Sequence, residues 1–293
     1  MIRYFPIVLA FVILVIIVIV LQRRRGQQSL PDYHIQLCIP FAGPASINVQ
    51  TIQQQFKQRW KMEVACGQAP QLGSAQDGVT TYLMGNGIHN VRLTVSRNPL
   101  PANLVNATIG AAPALTDAEK TAIEKHQGYI SLEYLHGPED PAARVRFAAQ
   151  TLLTLAQLDG ALGYVSVPAM LYRPRIRIDD FLGRTELNST DLYLLFVNSH
   201  SVDDKGTIWL HTHGLEGFDL PDLQVRFSDG SQQRYYWELL SEASVYMIER
   251  GPVFKAGDTA ELTGDGVIYE IKSVRPDANH PFGFFGCLEI VRR

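Results

Sequence analysis

Two imidazoles spaced two residues apart on a strand point to one face, and the run Trp209-Leu-His-Thr-His-Gly-Leu215 offers such a pair in His211 and His213. Imidazole is both a metal ligand and a proton carrier near neutral pH. Past the bend expected at Gly214, Glu216 and Asp219 follow as candidate carboxylates. Histidine with carboxylate is a common ligand set for a hydrolytic metal ion that keeps one position for water. Without an ion the same groups could serve as general acid and base. An H-x-H pair is a short signal, and a purely structural reading competes with it. In that reading one histidine bonds backbone at the strand end while the other packs beside Trp209. H-E-x-x-H, G-x-S-x-G and the kinase motif set are absent, so no complete catalytic signature accompanies the pair.

The elements that must position this pair are legible as patterns. Leu192-Tyr-Leu-Leu-Phe-Val-Asn198 reads as a central strand, and Thr207–His213 as its antiparallel neighbour across the Asp203-Asp-Lys-Gly206 turn. Pro221–Phe227 alternates as a further strand. Gln233–Ile248 carries an apolar face at helical spacing through Tyr236, Leu239, Leu240, Ala243 and Met247. Thr259–Leu262, Gly266–Val274 and Phe284–Val291 supply closing strands. Upstream, Tyr33–Ile39 reads as a strand, Ser46 as the cap of a helix bearing Ile52, Phe56 and Trp60, and Gly85-Asn-Gly87 as a hairpin turn. Thr116 and Glu119 form the capping box of a second helix, and Asp140 with Pro141 opens a third, Ala/Leu-rich one. His126 and His136, at the ends of elements, are expected at the surface or supporting other groups from behind, rather than as ligands. Helices and strands in this order predict an α+β fold of two mixed α/β lobes with largely antiparallel sheets, residues 33–170 and 181–293, joined by a connection over 171–180.

Phe5–Leu21 is uncharged and long enough to cross a hydrocarbon core, so residues 1–25 are expected to form a transmembrane anchor, with 26–32 as a linker. Arg23-Arg-Arg25 on its C-terminal side predicts a single-pass protein of the inner (plasma) membrane, its body cytoplasmic and the lipid bilayer one partner. Net charge is −3, which removes nucleic acid from the expected partners. Cys38, Cys66 and Cys287 are too scattered for a disulfide framework and read as reduced packing residues.

The Trp209–Leu215 run, followed by Leu220-Pro-Asp-Leu223, resembles an uncharacterised bacterial domain-of-unknown-function family marked by a W-x-x-T-H-G-L strand. The run His126-Gln-Gly-Tyr-Ile-Ser-Leu132 and the helix ending near Gly160 are similar in pattern. The resemblance implies a binding role, immunity-type or scaffold-like, with a protein partner and no cofactor. The leading expectation is therefore a membrane-tethered cytoplasmic binding protein without catalytic activity. The alternative is a hydrolase using His211 and His213 with Glu216 or Asp219, with His211 and His213 as its metal ligands if an ion takes part.

Overall fold

Seven strands, β1 (Gln36–Phe41), β2 (Val64–Gln68), β3 (Thr80–Gly85), β4 (His89–Ser96), β5 (Gly128–His136), β6 (Gly163–Ser166) and β7 (Leu171–Pro174), form an antiparallel sheet in the order β2-β3-β4-β5-β1-β6-β7. They belong to a computed structural model that describes residues 35–68, 79–111, 115–166, 168–274 and 285–293. Asn86 and Gly87 join β3 to β4 with φ of 49° and 72°. A type I′ turn requires positive φ at both centres, which is why Asn-Gly was a usable signal.

Alternation sorts the sheet into two faces. Leu37, Ile39, Leu83, Val91, Leu93, Ile130 and Leu132 are buried on one. Gln36, Arg92, Thr94 and Glu133 lie on the other, where Arg92 and Glu133 are register partners and form an ion pair. Helices α1 (Val49–Arg59) and α4 (Pro141–Leu155) lie on the apolar side, with α2 (Ala102–Ala111) and α3 (Asp117–Glu124) between them in the chain. Asn48, rather than Ser46, caps α1, its side chain accepting from Thr51 N–H at 3.1 Å. Phe56 of α1 and Phe147 of α4 meet with ring centroids 5.6 Å apart. Thr116 with Glu119 caps α3 reciprocally, and Asp140 with Pro141 opens α4.

The stretch after β7 holds α5 (Asp179–Leu182) and α6 (Ser189–Phe196). Residues 192–198 were expected to be a strand. They are mostly helix because Asn188 and Asp191 form a capping box at its start, and a short apolar run carries no period of its own to oppose that signal. The strand that pairs with Thr207–His213 is β8 (Asn198–Asp204). A second, mixed sheet follows: β9 (Thr207–His213), β10 (Asp222–Phe227), α7 (Gln233–Arg250), β11 (Thr259–Glu261), β12 (Ile268–Val274) and β13 (Cys287–Arg292), in the order β11-β12-β13-β10-β9-β8. Its pairs are antiparallel except β10 with β13.

The α+β expectation needs one correction. Among the described residues no helix is long and apolar enough to cross a membrane, so the fold does not start from an observed transmembrane helix. The longest described helix, α7, has 18 residues but carries Arg234, Glu238, Glu242, Glu249 and Arg250. That charge load suits a helix with one solvated face. The segment Phe5–Leu21 lies outside the described residues.

His126 is buried. Its Nε2 accepts the backbone N–H of Leu100 at 2.6 Å, which puts the ring proton on Nδ1, facing the Ile123 carbonyl. Burial accordingly lowers its pKa. A second proton would break the Leu100 bond, so folding holds this ring neutral. The unfolded ring protonates near 6.5 and the folded one only lower, so the unfolded chain binds more protons between those values. Stability should therefore be present above about pH 6.5 and fall as pH drops through the folded value. In His126→Gln, whose amide can accept without titrating, denaturant unfolding should show a shallower loss as pH falls below about 6.5. An unchanged slope would remove His126 as a cause.

Candidate metal centre

The second sheet has one face on α7 and one that carries polar groups. Leu210, Leu223, Val225, Tyr269, Ile271 and Ile290 are buried together with Tyr236, Leu239, Leu240 and Met247 of the helix, and Phe227 stacks on Tyr236 at 4.6 Å. The period of two then forces Trp209, His211 and His213 of β9 to the opposite face. On β8 the register partner of His211 is His200, and on β10 it is Gln224. Three histidines thus meet where two antiparallel strands lie side by side.

One ring nitrogen from each of His200, His211 and His213 lies within 4.8 Å of the other two. The ring centroids of His200 are 4.0 Å from those of His211 and 4.8 Å from those of His213, and His211 and His213 are 4.8 Å apart. His211 is buried and the other two are half-buried. Nδ1 of His200 is buried and accepts or donates no hydrogen bond. A tetrahedral zinc ion with bonds of about 2.0–2.1 Å would hold its nitrogens roughly 3.4 Å apart.

The turn after β9 explains the rest of the motif. Gly214 has φ +107°, and a Cβ there would stand 2.2 Å from the Phe196 carbonyl oxygen. Only glycine turns the chain at that spot. A 3-10 turn over Leu215–Phe218 follows, and Asp219 leaves it with φ 58°. Thr212 is buried at the hinge of this loop. Its hydroxyl accepts the Leu223 N–H at 2.8 Å and donates to Asp222 Oδ1 at 3.2 Å. Asp222 Oδ1 also accepts the Leu215 N–H at 3.3 Å. These bonds fix Asp222 with its second oxygen 3.9 Å from His213 Nδ1.

Electrostatics in this corner are dominated by burial. Burial pushes the Asp222 carboxyl up to about 8; the Leu215 N–H lowers it, the charge of Glu216 raises it, and the Thr212 hydroxyl lowers it. His213 is lowered to about 4 by burial and by His200, and His200 itself is lowered by burial. The close approach of Asp222 and His213 invites an ion pair, but desolvation outweighs it and drives both toward neutral forms. Neutral imidazole is also the form that ligates metal.

Of the four residues singled out in the sequence, the structure brings His211 and His213 together and separates Asp219 from them. Asp219 instead pairs with Arg144 of α4, a guanidinium only 2% exposed, which also donates to the Pro138 and Glu139 carbonyls at 3.1 and 2.9 Å. Glu216 acts through space on Asp222. His200 and Asp222 were missed. His200 was within reach of a count: with Asp204 opposite Thr207 across the turn, stepping four residues outward on each strand places His200 opposite His211. Burial pushes the Cys38 thiol up to about 12 and raises Cys287 as well, so neither is poised as a nucleophile.

Residues 211–281 match the model of a domain of unknown function (DUF4261). No curated protein and no solved structure matches the chain.

Proposed function

We propose that this chain binds a transition-metal ion of the zinc class through His200, His211 and His213. The observation that carries the reading is their convergence within 4.8 Å on adjacent strands. Nitrogen-only sets of this kind suit zinc, copper, nickel or iron better than magnesium or calcium, which prefer oxygen. The unsatisfied Nδ1 of His200 supports it, since a buried ring nitrogen without a partner is costly. Asp222 would orient the His213 ring from behind, the outer carboxylate that histidine ligands commonly use. We prefer this reading to the protein-binding role that the resemblance implies, because named side chains support it.

Protein purified without chelators or a nickel column should contain about one such ion per chain by elemental analysis. Added zinc at about a thousand times its dissociation constant should stabilise the fold by about 4 kcal/mol, measured by denaturant unfolding. His200→Ala and His213→Ala should abolish both effects. Absence of ion and of any stability shift with zinc, cobalt, nickel, copper and manganese would end the proposal.

Hydrolysis at that ion is a second reading, favoured by one feature. Three protein ligands leave a tetrahedral position open, the arrangement of catalytic rather than closed structural zinc sites. In the same preparation, turnover of p-nitrophenyl acetate or p-nitrophenyl phosphate that disappears in His211→Ala would support it. A metal-loaded protein inert to both would leave the binding role alone.

A further inference from the structure

On the other side of β8 from the histidines, a cavity of about 270 Å³ lies among β7, α6, α7 and the start of β8. Its walls include the apolar groups Leu171, Leu194 and Trp237 and the polar groups Arg173, Tyr193 and Ser241. The hydroxyls satisfy one another. Ser241 donates to the Trp237 carbonyl at 2.8 Å, so the 3.0 Å contact between Tyr193 and Ser241 has Tyr193 as donor, and Tyr193 can accept from Ser199 at 3.2 Å. Arg173 is only partly satisfied: it donates to the buried Tyr164 hydroxyl, a neutral partner. Its Nη2 donates to the Val197 carbonyl at 3.4 Å, at the long end of hydrogen bonding, and its Nε is buried without a partner.

Among the described residues no carboxylate lies within ion-pair distance of Arg173, and none lines the cavity. Arg177 also faces this space, in the field of Glu119. A half-buried guanidinium without a counter-charge is expensive, and its fork of donors fits a carboxylate or phosphate. We propose that this cavity binds a small organic oxyanion, its charged head on Arg173 and its apolar body between Leu171, Leu194 and Trp237. The combination of an apolar lining and a single anchoring charge is the usual build of a small-molecule site. This site is independent of the metal reading.

Calorimetry on the full chain with benzoate, phenyl phosphate and benzyl alcohol tests it. Saturable binding of at least one anion is expected, with none of the neutral alcohol; which anion binds more tightly tells carboxylate from phosphate. Arg173→Met should weaken the anion at least about tenfold, the loss of a charge-assisted pair. Arg173→Lys keeps the charge and most of the packing, and should still weaken it because an ammonium cannot offer paired donors. Binding of benzyl alcohol as strong as that of benzoate would overturn the proposal. So would undiminished anion binding in the folded Arg173→Lys and Arg173→Met proteins, or no anion binding at concentrations of about 10 mM, beyond the weak end of specific affinity.

Discussion

Replacing Gly214 with alanine should be strongly destabilising, a single added methyl group set against backbone. The new Cβ would stand 2.2 Å from the carbonyl oxygen of Phe196 and 3.0 Å from the Ala169 side chain, at a residue with φ +107°. Left-handed backbone alone costs a non-glycine residue about 1–2 kcal/mol. The clash adds to it, because a carbonyl at the end of α6 cannot swing aside without disturbing that helix. A total above about 3 kcal/mol is expected, which in a domain of this size lowers the melting temperature by roughly 10 °C. Gly183→Ala is the control: its φ is −86° and nothing lies within 4 Å of the added methyl. Equal melting temperatures for the two variants would refute the account of the turn. Because the turn also places Asp222 behind His213, Gly214→Ala should lose metal affinity even where it still folds.

The second large effect is expected at Arg144. Its guanidinium is 2% exposed and ties α4 to two carbonyls and to Asp219, which caps the 3-10 turn of the β9–β10 connection. Arg144→Met keeps most of the volume and removes the charge. Breaking a buried pair from one side costs about 3–5 kcal/mol, a large share of the 5–15 kcal/mol that keeps a typical domain folded. Asp219→Asn should cost less, since that carboxylate is 36% exposed and water can replace its partner. In the double variant the two losses should fall short of their sum, because the same contact is removed twice. Strict additivity in denaturant unfolding would show that the pair does not couple α4 to the loop.

The sequence reveals what is decided within a few residues. Asn86-Gly87, Thr116 with Glu119, and Asp140-Pro141 each settle a turn or cap through bonds to near neighbours, and each was legible for that reason. His211 and His213 share a face for an equally local cause, the period of a strand. Partners brought in by register are harder. His200 is hidden because the apolar run before it reads as the pairing strand, whereas its capping box makes it helix. Asp219 is only six residues from His213, yet its left-handed backbone sends it to Arg144, while Asp222, nine residues away, returns to the histidine along the next strand. An arginine in an Ala/Leu-rich helix likewise gives no hint that it is buried, since its acceptors come from a loop before the helix and from a residue 75 positions later.

The place of β1 bears on how this chain reaches its fold. It is the first described strand and yet an interior one, hydrogen-bonded to β5 with Gln36 opposite Glu133 and to β6 with Leu37 opposite Ser166. The β3–β4 hairpin can form from local contacts on a microsecond scale, of the order of 1–10 μs. β1 must instead wait for partners about a hundred residues away, and until they arrive both its edges are open. Such long loop closures put the rate-limiting event late, so folding should be slow for a domain of this size, and partly folded chains expose a sticky, apolar strand that neighbouring molecules can pair with.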